Sequence, residues 1–429
     1  MEQESKKATE EAYLCIDLKS FFASVECVER GLDPMTCMLA VADAERGDGT
    51  VCLAVTPAMK AAGVRNRCRV FEIPKSISYI KAPPRMQKYI DYSARIYSVY
   101  LEFVSPDDIH VYSIDEVFIY ASPYLKLYGT TPRELAEKIM NRVYEKTGIR
   151  ATCGIGTNLY LCKIALDIEA KRSPSFIGEL TEQSYRERLW QHRPLTDFWR
   201  IGSRTAAKLE KYGISTMKDI ASTDEELLYG WFGIDAELLI DHAWGIETTR
   251  MEDIKSYKAK SHSISSGQVL MRDYSKSEGK TVLCEMADAL CLDLVRKGVV
   301  CSSVALSVLL SDGSYENTSK KLKYPTSADS VILPAIRSLY ENMVCEGAAV
   351  RKLNISYNNI GREDGVQYSL FDDTQTLEDN KKLQTTVIAI KEKYGPNSIL
   401  KGVNYTEAST ARERNEQIGG HKSGKKAAP

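Results

Sequence analysis

The sequence predicts an α+β chain built from several units. Strand-like and helix-like patterns alternate from Tyr13 to about Lys171, a glycine-punctuated helical segment continues to about Tyr257, and a second mixed pattern extends to about Ile360. With 429 residues the chain is longer than one hydrophobic core normally supports, so we expect two to four domains.

The first unit has the element order of a ferredoxin-like sheet. Its predicted strands are residues 13–17, 109–113, 117–121 and 151–156. One predicted helix begins at residue 21, and three others cover residues 86–100, 132–147 and 158–171. This order places the link at 113–117 between two central strands. An insertion from Gly31 to about Pro84 carries short strands of its own.

Two adjacent carboxylates, Asp115 and Glu116, lie inside the apolar, strand-like run 111–119. Such a pair is costly to desolvate, so a fold that keeps it usually has a cation to place there. A third acid, Asp17, ends the first predicted strand and directly precedes a helix. Because three carboxylates from two strands can hold two metal ions, the sequence predicts a magnesium site.

The composition indicates the class of protein and the cellular location that we expect. The 43% hydrophobic and 27% charged content is ordinary for a soluble protein, and the charged N-terminus lacks the apolar core of a signal peptide. We therefore expect a cytoplasmic protein with no membrane segment. Eleven cysteines without Cys-x-x-Cys spacing favour reduced, buried thiols over disulfides or zinc. The net charge of −1 neither indicates nor excludes nucleic-acid binding, because such binding depends on a local basic surface and not on the charge of the whole chain.

The later segments predict binding units and a tail. Ile201 and Gly202, a short helix and then Gly213 form the pattern of a helix-hairpin-helix, whose backbone N–H groups bind phosphate without reading bases. A helical packing unit with glycine caps is the alternative. A third unit has a predicted helix at 280–297 and strands such as 304–310. From Gly361 the polar chain predicts a flexible tail.

Three segments carry a family resemblance: residues 17–26 (DLKSFFASVE), 112–116 (YSIDE) and 153–165 (CGIGTNLYLCKIA). In this order and spacing they resemble the Y-family translesion DNA polymerases, and the run 69–74 (RVFEIP) is most similar to the bacterial UmuC-like branch. The resemblance covers roughly residues 12–360. It implies a catalytic palm (12–30 and 85–188), inserted fingers (31–84), a helix-hairpin-helix thumb (189–257), a DNA-binding little finger (258–360) and a tail (361–429).

The resemblance also implies roles at the predicted metal site. Asp17 and Asp115 would bridge two Mg²⁺ ions, and Glu116 would complete the ion at the primer end. The backbone carbonyl of Leu18 would bind the ion at the triphosphate. The alternative is that these acids only cap helices or end strands at the protein surface.

The implied nucleotide contacts are Phe21, Phe22, Lys60 and Lys163. Phe22 lies five residues after Asp17, at the position of the steric gate that disfavours a 2′-hydroxyl, and Phe21 would pack beneath the nucleotide. A plain core role for both rings is the alternative. Lys163 matches a phosphate-binding lysine. Lys60 and Pro57 depart from the usual arginine and tyrosine, which weakens the expected phosphate contact, because lysine cannot bind phosphate bidentately.

A short peptide after the third unit predicts a partner. Gln367, Leu370 and Phe371 resemble the Gln-x-x-Leu-Phe peptide by which bacterial polymerases bind the sliding clamp. An anchor that holds the tail to its own domain is the alternative. The later run 409–415 (STARERN) has no role that the pattern explains.

The sequence therefore predicts a monomeric, Mg²⁺-dependent translesion polymerase that extends primed DNA with dNTPs and has no proofreading domain. One alternative keeps the fold as a clamp- and DNA-binding scaffold with weak catalysis. A nucleotide cyclase, which also uses paired acids on a ferredoxin-like sheet, is a more distant alternative, because a helix-hairpin-helix has no place in it.

Overall fold

A computed structural model describes residues 11–259, 261–363 and 374–424. The chain forms two compact units that divide between Tyr257 and Lys258. None of the helices in these described ranges combines the length and the apolar content needed to cross a bilayer.

The first unit contains strands, an insertion and a mainly helical end. In chain order its elements are β1 (Tyr13–Leu18), α1 (Phe21–Val28), β2 (Leu39–Val41), β3 (Ala54–Val55), α2 (Pro57–Ala61), β4 (Ile80–Ala82), α3 (Met86–Tyr100), β5 (Ile109–Val111), β6 (Glu116–Tyr120), α4 (Ser122–Tyr128), α5 (Pro132–Thr147), β7 (Ala151–Gly156), α6 (Leu159–Ile164), β8 (Ile177–Leu180), α7 (Glu182–Leu189), α8 (Ser203–Glu210), α9 (Met217–Ser222), α10 (Glu225–Phe232), α11 (Asp235–Trp244) and α12 (Met251–Ser256).

The main sheet of this unit has the strand order β5-β6-β1-β7-β8. Strand β1 is central and antiparallel to both neighbours, which is the ferredoxin-like arrangement with β8 added in parallel. The link that carries Asp115 joins the edge strand β5 to the inner strand β6, which begins at Glu116. The prediction that it joins two central strands was wrong, because β1 lies beside β6 and leaves β5 at the edge.

The two faces of the sheet have different cores. Alternation along β1 directs Ile16 and Leu18 into a large cluster that includes side chains of α1, α3 and α5. Cys15 lies on the opposite face, in a smaller cluster with Cys162 of α6. Asp17, two residues after Cys15, follows onto that second face. This acid is therefore expected on the side of the sheet that α6 covers.

The segment after β7 is not the single helix that its sequence predicts. Asn158 caps α6 by accepting from the Leu161 N–H, but α6 ends at Ile164, a π-helix covers Ala165–Glu169, and a 3₁₀ turn covers Ala170–Arg172. Propensity did not reveal this change, because each of these residues also suits an α-helix. The wider π turn shifts every later side chain around the helix axis.

Glycines bring this helix against the sheet. A Cβ on Gly154 would lie 2.0 Å from the carbonyl oxygen of Cys162, and one on Gly156 would lie 2.2 Å from the Cys162 nitrogen. No side chain fits at either position. The Cys-Gly-Ile-Gly motif is therefore the contact that allows the backbone of α6 to lie on β7.

The second unit is a sheet covered by helices on one face. Its elements are β9 (Ser263–Tyr274), α13 (Lys276–Lys297), β10 (Val299–Leu310), β11 (Tyr315–Thr326), α14 (Asp329–Met343), β12 (Val350–Asn358), β13 (Gly361–Arg362), α15 (Thr374–Tyr394), α16 (Ala411–Asn415), β14 (Gln417–Ile418) and β15 (His421–Lys422). The strand order is β11-β10-β12-β9, and β13 pairs with β10. Its core lies between this sheet and helices α13 and α14.

The prediction of a flexible tail was wrong for residues 374–424. Helix α15 packs on α13 and buries Ile388, and the segment after it returns to the same helix. Glu285 of α13 is almost fully buried and accepts hydrogen bonds from Asn404, Ser409 and Thr410. The polar composition that suggested disorder thus supplies the partners of a buried carboxylate. The unexplained run 409–415 is part of this contact.

Candidate active site

The strand register brings the predicted acids to one end of the sheet. Asp17 is the direct cross-strand partner of Glu116 in the β1–β6 pair. The N–H of Leu18 donates to the Asp115 carbonyl at 2.9 Å, which holds the link against the end of β1. The Ser113 hydroxyl donates to the Asp115 carboxylate at 2.7 Å. A half-open cavity of about 480 Å³ between α3 and this link is lined by both Asp115 and Glu116.

Glu116 is held by groups that its motif does not include. It is buried, with 9% of its surface exposed. The Lys163 Nζ lies 2.8 Å from its carboxylate, and the Cys15 thiol donates to the same carboxylate at 3.3 Å. Burial lowers the pKa of Lys163, but neighbouring Cys15, Asp167 and Glu116 outweigh burial and raise it. Lys163 is thus a buried counter-ion of Glu116.

A series of ion pairs that includes Asp167 of the π-helix connects Glu116 of β6 with Asp17 of β1. Lys163 Nζ lies 3.0 Å from Asp167, and the Lys171 Nζ lies 2.6 Å from the other oxygen of Asp167. Lys171 also lies 4.0 Å from Asp17, and its side chain remains 44% exposed. Of the two lysines, Lys171 is therefore the more exposed one, and its amine lies near Asp17.

The three acids supply the carboxylate oxygens that a divalent cation prefers. The pKa of Asp17 is raised to about 7, chiefly by burial and also by repulsion from Asp115 and Glu116, while Lys171 lowers it. A cation between these acids would relieve that repulsion. Within the described ranges, no three His, Cys, Asp or Glu side chains lie close enough together to hold a metal ion. The acids converge on one end of the sheet, but Glu116 is directed to Lys163.

The two phenylalanines at the start of α1 have different surroundings. Phe21 is 2% exposed and belongs to the main core. Phe22 is only partly buried, and its ring stacks on that of Tyr89 with centroids 4.6 Å apart. Ser20 before them has a left-handed φ of 49°. Phe22 is thus the ring of this pair that can contact a ligand beside Asp17.

The insertion contributes further positive charge. Pro57 is the first residue of α2, and Lys60 lies one turn later. The pKa of Lys60 is lowered, chiefly by burial and also by Lys171, while Asp17 and Asp115 oppose the change. The pKa of Lys19 is lowered by burial and by Lys60. Lys19 and Lys60 therefore both interact electrostatically with Asp17.

The predicted DNA contacts of the first unit lie in its helical end. Ile201 is buried in the core of the helical end of the first unit, whereas Gly202 and Gly213 are exposed at the two ends of α8. Gly213 has a φ of +77°, which explains a glycine there. The predicted clamp-binding residues fall outside the described residues: Gln367, Leu370 and Phe371.

Sequence reasoning missed Cys15, Asp167 and Lys171. A signal for two of them was present, because Lys163, Asp167 and Lys171 are spaced four apart, which is helical spacing for mutual contact. Cys15 offered no signal beyond its alternation with Asp17.

Comparisons with known proteins identify the family of this chain. Residues 16–167 match the impB/mucB/samB family model, and residues 261–370 match the model of that family's C-terminal domain. The chain is 35% identical to UvrX of Bacillus subtilis strain 168, which is named for UV-damage repair, over 96% of this chain and 97% of the relative. It is 32% identical to DNA polymerase IV 2 of the same organism, over 96% and 99%.

Solved structures show the same fold. A chimera of the Y-family DNA polymerases Dbh and Dpo4 superposes with a TM-score of 0.64 at 22% identity, covering 82% of this chain and 99% of the other. An insertion ternary complex of Dbh DNA polymerase superposes with a TM-score of 0.54 at 21% identity, with the same coverage. The chain belongs to the impB/mucB/samB family and is a Y-family DNA polymerase of the UmuC-like branch.

Proposed function

We propose that the protein extends primed DNA past damaged template bases by Mg²⁺-dependent transfer of nucleotides from dNTPs, without proofreading. The observation that carries the proposal is the register that sets Asp17 opposite Glu116, with Asp115 on the adjoining link. These are the acids that the family motifs share. The partly exposed Phe22 and the cations around Asp17 complete a site suited to a nucleoside triphosphate.

Each residue at the site has a distinct task. Asp17, Asp115 and Glu116, with the Leu18 carbonyl, would hold two Mg²⁺ ions. When bound, such ions lower the pKa of the primer 3′-hydroxyl and neutralise the leaving pyrophosphate. Until then Lys163 holds the buried Glu116 carboxylate in place through the ion pair at 2.8 Å.

The surroundings of the two lysines favour Lys171 over the predicted Lys163 as the phosphate-binding residue. Lys163 is 6% exposed, and its amine is taken by Glu116 and Asp167. Lys171 is more exposed and lies beside Asp17. We therefore assign the triphosphate contact to Lys171, with Lys60 as a second cation near Asp17. Lysine at position 60 makes a single-point contact, because it lacks the forked geometry of arginine.

The second unit offers a surface for the duplex. Helices α13 and α14 cover one face of its sheet, and the opposite face carries small polar side chains in register, such as Ser307 opposite Asn354. The same face carries lysines, including Lys321 and Lys352. Hydroxyls, amides and lysines suit phosphate and sugar contacts that do not read sequence. Gly202 and Gly213 of the helix-hairpin-helix would add backbone donors to phosphate.

Salt dependence tests this surface. Replacing Lys321 or Lys352 by Ala is expected to weaken binding to primed DNA. The slope of log affinity against log salt should fall by about 1 for each lysine that neutralises a phosphate in the wild type. An unchanged slope in both variants would place the duplex on another surface.

The clamp contact is supported by sequence alone. We propose that the chain binds a sliding clamp through Gln367, Leu370 and Phe371. We also propose that its catalytic form is a monomer and that its location is cytoplasmic. Surface plasmon resonance with immobilised clamp tests it, because a Leu370→Ala, Phe371→Ala chain should lose binding. Equal binding by both chains would exclude this peptide.

Primer extension tests the catalytic proposal. The wild type is compared with an Asp115→Ala, Glu116→Ala chain, with Mg²⁺ and dNTPs, on undamaged and abasic templates. Extension by the wild type that is lost in the variant is expected, and passage beyond the abasic site is expected to follow. Tight binding of primed DNA without extension by the wild type would refute catalysis and favour the scaffold role, to which the departures at Pro57 and Lys60 point.

A further inference from the structure

Tyr89 of α3 lies directly behind the proposed steric gate. Its ring stacks on Phe22 with centroids 4.6 Å apart and planes 18° apart, and it is fully buried. The ring of Phe22 therefore has a rigid wall on one side and the open site on the other. Tyr89 lies outside the three segments that carry the family resemblance.

Tyr89 is itself held in one position. Its hydroxyl donates to Glu26 at 2.8 Å, and Glu26 is fully buried. Arg85 donates to both oxygens of that carboxylate, at 2.9 Å and 2.8 Å, and Arg30 pairs with it as well. Burial raises the pKa of Glu26, but these hydrogen bonds outweigh burial and lower it, so the group stays ionised.

The anchor also links the gate to its own helix. Glu26 is on α1, one turn beyond Phe22, so one carboxylate fixes the Tyr89 ring against the helix that carries the gate. A gate discriminates only if its ring resists displacement by a 2′-hydroxyl. A ring with free space behind it would move aside, whereas Phe22 would have to displace a buried and hydrogen-bonded tyrosine.

We infer that Tyr89 is a positioning residue for sugar selectivity, which holds Phe22 in place through the stacked rings and the Glu26 anchor. This rests on the proposed role of Phe22 as the gate. Tyr89 has no contact with the nucleotide in this role and acts only through Phe22.

The test measures the ratio of kcat/KM for dCTP to that for CTP during primer extension by the full chain. Tyr89→Leu is expected to lower this ratio about 2- to 12-fold, the range expected for loss of one aromatic pair. Tyr89→Phe keeps the ring and should lose less. Phe22→Val should lower the ratio more than either. Tyr92→Leu, the same change three residues along α3, is the matched control and should leave the ratio unchanged.

A double variant separates positioning from general damage. If Tyr89 acts through Phe22, adding Tyr89→Leu to Phe22→Val should change the ratio no further, although both rates can fall. Tyr89→Met, whose flexible side chain refills the volume, replaces Tyr89→Leu if that chain does not fold. An unchanged ratio in the Tyr89 variants, or an equal additional drop in the double variant, would overturn the inference. An unchanged ratio in Phe22→Val would instead overturn the gate itself.

Discussion

The contact between Glu285 and the C-terminal segment leads to a quantitative prediction. The carboxylate is 1% exposed and accepts from the Asn404 amide at 2.8 Å, the Thr410 N–H at 3.1 Å and the Ser409 hydroxyl. Arg414 lies 4.0 Å away. Glu285→Gln keeps the shape but turns an NH₂ group toward hydrogen-bond donors.

The expected cost follows from these hydrogen bonds. A hydrogen bond to a charged group contributes about 1.5–3 kcal/mol, and the substitution removes the charge from all of them and eliminates at least one outright. The freed donors regain water when the segment leaves, which limits the net loss. We therefore expect docking of residues 395–424 to weaken by about 2–3 kcal/mol, a rise of about 30- to 150-fold in the opening equilibrium.

Hydrogen exchange measures this opening segment by segment. Amides in 395–424 should exchange about 30- to 150-fold faster in Glu285→Gln, while those in β10 and β12 keep their protection. Asp288→Asn is the matched control, because Asp288 lies one turn along α13 and pairs with Lys401 at the surface, where ion pairs contribute about 0–1 kcal/mol. Unchanged exchange in 395–424, or an equal effect from the control, would refute the reasoning.

Three further predictions concern the first unit. Lys171→Ala should raise the KM for dNTPs about tenfold, as expected for loss of one exposed charged phosphate contact, with little change in melting temperature. Gly154→Ala should destabilise the chain by the upper end of about 1–3 kcal/mol, because its methyl group would lie 2.0 Å from a backbone oxygen, whereas Gly49→Ala, with open space around it, should be neutral in denaturant unfolding. Burial raises the pKa of Glu247, but hydrogen bonds from His242 and Thr249 outweigh burial and lower it from 4.5 to about 2. Glu247 therefore contributes stability in full above about pH 4.5, and this is lost as pH falls toward 2. Glu247→Gln should lower the free energy of unfolding at pH 7 and flatten the acid limb of stability against pH.

Each of these has a clear contrary result. An unchanged KM in Lys171→Ala would return the phosphate contact to another cation. Equal stability of the two glycine variants would mean that α6 can move off β7 at no cost. A Glu247→Gln chain with the acid limb of the wild type would show that the pair with His242 does not control stability at low pH.

The acids of the site could be predicted from sequence because their setting is local. Asp17 ends a strand-like run, and Asp115 and Glu116 lie within another, so alternation and the family motifs were sufficient to bring them together. The predicted helices Met86–Tyr100 and Pro132–Thr147 were confirmed to the residue, since each has a clear apolar face and, in the second case, a capping box at Thr131.

The partners of those acids depended on tertiary structure. Lys163 matched a phosphate-binding residue in sequence, but the close approach of α6 to β7 at Gly154 buries its amine beside Glu116. The π turn then leaves Lys171 beside Asp17. No local pattern contains this information, because it depends on the distance between a helix and a sheet.

The sequence by itself determined the fold class, the family and the three acids of the proposed site, since periodicity and short motifs record them directly. Only the tertiary structure decided which lysine lies near Asp17, which ring stacks on Phe22, and that residues 374–424 pack on helix α13. Each of these depends on contacts between residues far apart in the chain, such as Glu26 with Tyr89 and Glu285 with Ser409. A buried charge is stable only with its partners, and the fold alone determines which residues those partners are.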